Sequence, residues 1–455
     1  MTVLERFGTH VARGYRGNLS RSLRDLARLH LADTVGAWIA ASGAPEGRAL
    51  IRFAVKRENG QANPLGEGMP ARVALNCALA RLSEIDDIHL SSGTTPGALI
   101  VPAALTIGGS LGREGAAIAE AVAVGYDAMA RLGEALKGPW ILYRGIWPTY
   151  FAAPFAVAAV AARLLDLTER QAAHALGIAI GLASPAVGRQ SGAMMSRWLA
   201  IGHAARNGVS AALSAQAGFT ADLRIFEGDM FSSVYNLSPD LAALVDTLGE
   251  RSVLPEVSFK PWCAARQTMA ATQALREIIE GGVSPSDMTQ LVVSALPLCL
   301  RMVDHGVVPG DRSSHLTSVS YQMALAAFAP DAMLDVKQAP VRVSGEIGTF
   351  MAKVTVKADE DLLQYYPKSW PARLGVTTPR GEHERLVTHL PGDPERPFDE
   401  AQIAEKFRRA TAALVGERAA EELLRLSLAA LDEGGDPKKL LSKIERACAV
   451  AAGAD

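Results

Sequence analysis

Apolar residues recur at helical spacing through roughly the first 260 positions, and the pattern turns strand-like near residue 290. Leu23 to Ala41 places apolar side chains three and four residues apart and stops at Gly43, as a helix with one buried face does. Ala74 to Leu82 reads as a further helix, and Gly97 to Leu105 as an apolar stretch broken by proline. Gly115 to Lys137 and Ser196 to Gln216 are long and Ala-rich, and the second closes before Gly218. Alanine favours helix and lets helices approach closely, so this half predicts a bundle with short connections. Glu169 to Leu182 starts after Thr168, a side chain suited to an N-cap.

Beyond this half, Gln290-Leu-Val-Val-Ser-Ala-Leu is β-rich, and Met351-Ala-Lys-Val-Thr-Val-Lys alternates apolar and polar residues. Ala372 to Thr378, the turn Pro379-Arg-Gly and Arg385 to Leu390 read as a hairpin. Helical stretches at Met269 to Glu280 and Ser318 to Ala329 surround these strands, and the helical pattern resumes at Ala401 to Leu414, Arg418 to Leu431 and Pro437 to Ala451. The expected organisation is mainly α with a small inserted α+β unit: residues 1–262 and 399–455 would form an all-helical domain, and residues 263–398 the α+β unit.

Composition narrows the function classes. With 49% hydrophobic residues, 21% charged residues and a net charge of -2, the 455-residue chain is an ordinary globular protein with room for a large core. It has no basic block for nucleic acid or an anionic membrane. Thr149 to Leu165 and His174 to Val187 are very apolar, but each is too short or too interrupted to span a bilayer. The N-terminus carries Glu5, Arg6, Arg13 and Arg16 and no signal-peptide core. Cys77, Cys263, Cys299 and Cys448 lie far apart without metal-ligand spacing, which suggests reduced thiols in a cytoplasmic protein. The Ala-rich helix Gly115 to Lys137 carries more apolar surface than a monomer should expose, which points to a homodimer.

The densest chemistry is Glu84-Ile-Asp-Asp-Ile-His89, three carboxylates and an imidazole inside an apolar sequence. Such groups are costly to bury unless paired or used, so they mark a charge network or an active site.

Together the segments resemble the MmgE/PrpD family, which includes 2-methylcitrate dehydratase, cis-aconitate decarboxylase and iminodisuccinate epimerase. Asp33 to Gly36 matches its Asp-Thr-Val-Gly helix, and Glu84 to His89 its acidic motif. Arg144-Gly-Ile-Trp-Pro-Thr149, Ala204 to Gly208 with Ala217-Gly-Phe-Thr-Ala, and Lys260-Pro-Trp-Cys263 follow in family order. Trp370-Pro-Ala-Arg, Pro391 to Pro397 and Lys406-Phe-Arg-Arg complete the set. The resemblance implies a large helical domain built from both chain ends and a smaller α+β lid. It implies a cleft active site, a homodimer, a small-molecule carboxylate substrate, and no metal or organic cofactor.

Family enzymes move a proton next to a carboxylate. Without a metal this needs cations to hold the carboxylates and a poised base and acid. The resemblance gives Asp86, Asp87, His89, Lys260 and Tyr321 as catalytic candidates, with Glu84, Thr95, Trp147 and Arg197 against the substrate. Thr95, Trp147 and Ala200 stand where the family has histidines, Arg81 replaces another, and Arg197 replaces a lysine. Arginine still grips a carboxylate but is a poor proton donor. Trp147 suggests a flatter, more apolar pocket than a tricarboxylate needs.

Each candidate also has a structural reading. Asp86 and Asp87 would cap a helix or pair with Arg81, His89 would be a satisfied core histidine, Lys260 a solvated charge and Tyr321 core. His203, His305 and His315 match no motif and read as structural, and Cys263 as packing. Three functions follow: a cofactor-independent lyase that dehydrates or decarboxylates a carboxylic acid, an isomerase (epimerase or cyclase) that removes and returns one proton, or a non-catalytic paralogue.

Overall fold

In the computed structural model, residues 1–54, 66–184 and 195–453 are described. The chain divides into two compact units. The first contains the described residues before 185, Met195–Phe259 and the described chain from Asp399 on; the second is Lys260–Phe398.

The first unit is helical. It opens with α1 (Val3–Arg13), α2 (Arg21–Ser42), α3 (Pro45–Ala54), α4 (Met69–Leu82), α5 (Gly97–Leu111) and α6 (Gly115–Ala135). Local sequence sets several starts. Thr2 and Glu5 form a reciprocal capping box on α1, and Ser20 accepts from Leu23 N–H at the start of α2. Thr168 and Gln171 cap the helix Glu169–Gly181 in the same reciprocal way. The last residues of the apolar segment His174 to Val187, those after 184, lie outside the described ones.

Alanine and glycine let the core helices meet closely. A Cβ on Gly208, in the helix Ser196–Gln216, would stand 2.5 Å from the Pro154 carbonyl of the helix Pro148–Leu164. Any larger residue forces those helices apart.

Two expectations need correction. Gly97 to Leu105 is not broken by proline: α5 runs unbroken to Leu111 with Pro102 inside it. Pro102 removes one backbone donor near the helix start, and burial of the surrounding face outweighs that loss. Helix α6 is not a surface helix either, because nearly all its residues are buried within this chain. The apolar-surface argument for a dimer therefore falls at that helix.

The second unit is α+β. Its sheet comprises β1 (Gln290–Ala295), β2 (Val354–Ala358), β3 (Ala372–Thr378) and β4 (Gly381–Val387), in the order β2-β1-β3-β4. β1 pairs in parallel with β2 and antiparallel with β3, which pairs antiparallel with β4. Along β3, Ala372, Leu374, Val376 and Thr378 are buried in alternation, and the helix Arg266–Glu280 packs against β3 and β4. The four cysteines are buried thiols.

Candidate active site

Helix α4 ends at Leu82, and Glu84 takes a left-handed backbone, φ 59°. A side chain bearing a Cβ is strained there by about 1–3 kcal/mol unless its surroundings hold it. They do: Glu84 Oε2 lies 3.1 Å from Arg81 Nη1, and Oε1 lies 2.6 Å from Arg197 Nη2. Arg81 Nη1 also reaches Asp86 Oδ1 at 3.3 Å. Two arginines from separate helices thus converge on two carboxylates, and Arg197 stacks over its neighbour Trp198 at 3.8 Å. Burial opposes the charge of Arg81, but Asp86 and Glu84 outweigh it and keep the guanidinium protonated. Tyr150 is buried beside the cluster; burial raises its pKa while Arg197 and Arg81 pull the other way.

The next residues are pinned through the backbone. Ile88 and Ser258 exchange hydrogen bonds of 2.9 and 2.8 Å, and His89 N–H donates to the Thr94 carbonyl at 2.8 Å. From the C-terminal part of the chain, the Lys406 ammonium donates to the Ile85 carbonyl at 2.9 Å and lies 2.6 Å from Asp33 Oδ1. Lys406, paired with Asp33, therefore ties the C-terminal part of the chain to the acidic segment.

Asp87 is fully committed. His30 Nδ1 at 2.8 Å, the Tyr126 hydroxyl at 2.6 Å and Gly97 N–H at 2.7 Å all donate to its carboxylate. It caps the first turn of α5, where the helix dipole favours negative charge. Burial and the Asp87 charge drive the Tyr126 pKa well up. The capping and pairing readings of Asp87 and Asp86 are both realised.

His89 is buried, with Nε2 3.6 Å from Glu256 Oε2 and no partner for Nδ1 among the described residues. His89, Glu134 and Glu256 could together hold a metal ion, a constellation the sequence spacing does not reveal. Arg251 already answers both carboxylates. It lies 3.0 Å from Glu134 and grips Glu256 through two nitrogens, one at 2.6 Å. Burial raises the Glu256 pKa, but the Arg251 hydrogen bonds and the nearby His89 outweigh it and bring the group down to about 2. A guanidinium supplies the positive charge that a metal would.

Thr95 is buried, and its N–H donates to Thr149 Oγ1 at 3.1 Å. Trp147 is half-buried at the start of the helix Pro148–Leu164 and meets Tyr150 edge-on, 6.1 Å between ring centres. Ala200 lies three residues beyond Arg197 on its helix. None of these three can carry a proton to or from carbon.

In the second unit, Lys260 is 3% exposed, so it is no solvated surface charge. Tyr321, in the helix Val319–Phe328, is buried with its hydroxyl unpartnered among the described residues. Burial, helped by Asp335, pushes its pKa up to about 12, so it stays a hydroxyl donor at neutral pH. Its ring meets that of His315 at 4.7 Å and 88°. Of the histidines outside the motifs, His203 is exposed and His305 bonds the Met302 and Gly306 carbonyls.

The structure thus gathers Glu84, Asp86, Arg81 and Arg197 into one cluster, sets Asp87 apart with His30 and Tyr126, and joins His89 to Glu256. Sequence reasoning missed His30, Tyr126 and the Arg251 triad. Only a lone histidine in the apolar run of α2 hinted at the first.

Family models for the MmgE/PrpD N-terminal and C-terminal domains match residues 5–240 and 262–430. The chain belongs to the MmgE/PrpD family. Among curated relatives, cis-aconitate decarboxylase of Aspergillus terreus is 31% identical over 167 residues, covering 35% of this chain and 34% of its own. A cis-aconitate decarboxylase-like protein, oryM, of Aspergillus oryzae is 29% identical over 169 residues, with the same coverage. The chain spans about a third of the length of the curated relatives it matches. No helix among the described residues is long and apolar enough to cross a membrane.

Proposed function

We propose that this protein is a cofactor-independent lyase that dehydrates or decarboxylates a small carboxylic acid. The observation that carries the reading is the convergence of Arg81 and Arg197 on the strained Glu84 carboxylate. A pair of guanidinium groups fixed by two helices is suited to hold a carboxylate and to stabilise negative charge that develops beside it. Asp86 and His89 are the candidate proton carriers of this unit. Asp87, saturated by three donors, positions the segment. Lys260 and Tyr321 are assigned a carboxylate-holding cation and a proton donor, while Thr95 and Trp147 shape the pocket. The relatives named for cis-aconitate decarboxylation support a di- or tricarboxylate as the substrate class, and the apolar Trp147 favours a smaller acid than a tricarboxylate.

A second reading is an isomerase that removes and returns one proton. The scarcity of proton carriers favours it, since Thr95, Trp147 and Ala200 offer none. The residues that remain argue against a non-catalytic paralogue.

Proton NMR in D₂O over a panel of unsaturated and hydroxylated di- and tricarboxylates tests the reading. Loss of water or carbon dioxide from one acid supports a lyase, and deuterium exchange with inversion alone supports an isomerase. A panel that stays unchanged contradicts both. Cis-aconitate and 2-methylcitrate are expected to react very slowly; efficient conversion of either would show that other groups supply the missing proton transfers.

A homodimer belongs to the same proposal and rests on the resemblance. Phe219 and Val234 leave 67% and 64% of their surface exposed, apolar area that a second copy could cover. Light scattering at micromolar concentration is expected to give twice the chain mass, and a monomer mass would refute it.

A further inference from the structure

We infer that His315 is a further proton-transferring imidazole of this protein, in its second unit, with its Nε2 acting beside the Tyr321 hydroxyl. The inference deepens the carboxylic-acid reading above and rests on it.

The tautomer follows from the hydrogen bonds. His315 Nδ1 lies 2.7 Å from the Asp311 carbonyl oxygen, which can only accept. Nδ1 therefore carries the hydrogen, and in a neutral ring Nε2 keeps a bare lone pair. Burial holds the imidazole pKa below its usual value, against a smaller opposing pull from Asp311, so the ring is neutral at pH 7.

The ring is held in place. The Asp311 side chain caps the short helix Arg312–Thr317 by accepting from Ser313 N–H. The Gln322 amide donates to the His315 carbonyl at 2.9 Å. The ring then stands edge-to-face with Tyr321.

Neither His315 Nε2 nor the Tyr321 hydroxyl has a partner among the described residues, and each residue is 1% exposed. Leaving one buried polar group unsatisfied costs about 1–3 kcal/mol. Two such atoms on touching rings are hard to explain as packing, and such orphans call for a functional account. A base with an open lone pair beside a hydroxyl donor is what deprotonation next to a carboxylate needs.

The step balances within these groups. The substrate C–H bond breaks, an N–H bond forms on Nε2, and the electron pair moves onto the adjacent carboxylate as an enediolate. The Tyr321 hydroxyl donates a hydrogen bond to that developing charge. Nε2 then returns the proton to carbon, or keeps it while a leaving group departs from the neighbouring carbon. This restores an imidazole to a chain with Thr95, Trp147 and Ala200 where its resemblance expects histidines.

The test uses the full chain labelled with [¹⁵N]histidine, with His315→Asn assigning the signal. The asparagine amide keeps a donor for the Asp311 carbonyl but offers no second nitrogen. At about pH 7.5, His315 is expected to show a protonated Nδ1 and a bare Nε2 that shifts on adding cis-aconitate or malonate as probe. His315→Asn should melt near wild type and lower deuterium incorporation into the acid panel by roughly 10²-fold. Exchange at the wild-type rate in the variant, or a protonated Nε2 in the wild type, overturns the inference. If wild type neither converts nor exchanges any acid, the lyase and isomerase readings fail. In that case an Nε2 blind to both probes overturns this inference too, while one that shifts retains His315 as a ligand-facing base. Should His315→Asn not fold, Tyr321→Phe assigns the signal through the altered ring contact, and the wild-type nitrogen decides.

Discussion

Asp87 shows how little freedom a buried carboxylate keeps once its neighbours are fixed. A Cβ on Gly97 would stand 2.6 Å from Asp87 Oδ2 and 2.8 Å from Oδ1, against a group already held by three donors. Gly97→Ala is therefore expected to lower stability by about 1–3 kcal/mol in urea unfolding; an unchanged midpoint would contradict the packing described. Glu256 offers a test by pH. Its carboxyl falls from 4.5 to about 2 on folding, so its stabilisation is complete above the unfolded value and is lost as pH falls toward the folded one. The melting-temperature gap between wild type and Glu256→Gln should be full near pH 6 and close as pH drops from about 4.5 to about 2. A gap constant over that range would show that the pairing with Arg251 is not what lowers the group.

At this scale the sequence was only partly legible. Glu84 and Asp86 were marked by their density in an apolar run, and Arg81 was a named partner. His30 and Arg251 were not legible, because Asp87 and Glu134, the groups they answer, lie 57 and 117 residues away in sequence and meet them only through the fold. His315 read as structural because no motif claims it; its meaning lies in the ring of Tyr321.

Among the elements, helix periodicity and capping side chains gave most boundaries: Thr168 starts its helix as its residue type predicts, and Ser196–Gln216 has the expected ends. Pro102 misled because a proline near a helix start costs less than the buried face around it gains. The role of the C-terminal helices could not be read locally. In the helix Glu400–Val415, Lys406 reaches both Asp33 on α2 and the Ile85 carbonyl before the acid pair. Lys406→Ala would leave Asp33, 3% exposed, without its cation. Truncating one partner of a buried pair costs roughly 3–5 kcal/mol, so a loss of that size is expected in thermal or urea unfolding. The pair Asp33→Asn with Lys406→Met should recover much of it. A variant Lys406→Ala as stable as wild type would mean the pair is not what anchors this segment.

For the whole molecule, the ordered motifs carried the family and the fold class, because helix-packing residues repeat over hundreds of positions. They did not carry the chemistry, which turns on a few side chains that differ from the family pattern. We propose an active, carboxylate-handling protein in which Lys260 and Tyr321 serve the reaction and not merely the core. The most direct measurement is the initial rate on whichever panel acid wild type converts, compared with Lys260→Ala and Tyr321→Phe under the same conditions. Each variant is expected to fall by roughly 10²-fold or more while its melting temperature stays near wild type. Wild-type rates in both variants would contradict the account and put the reaction at other residues.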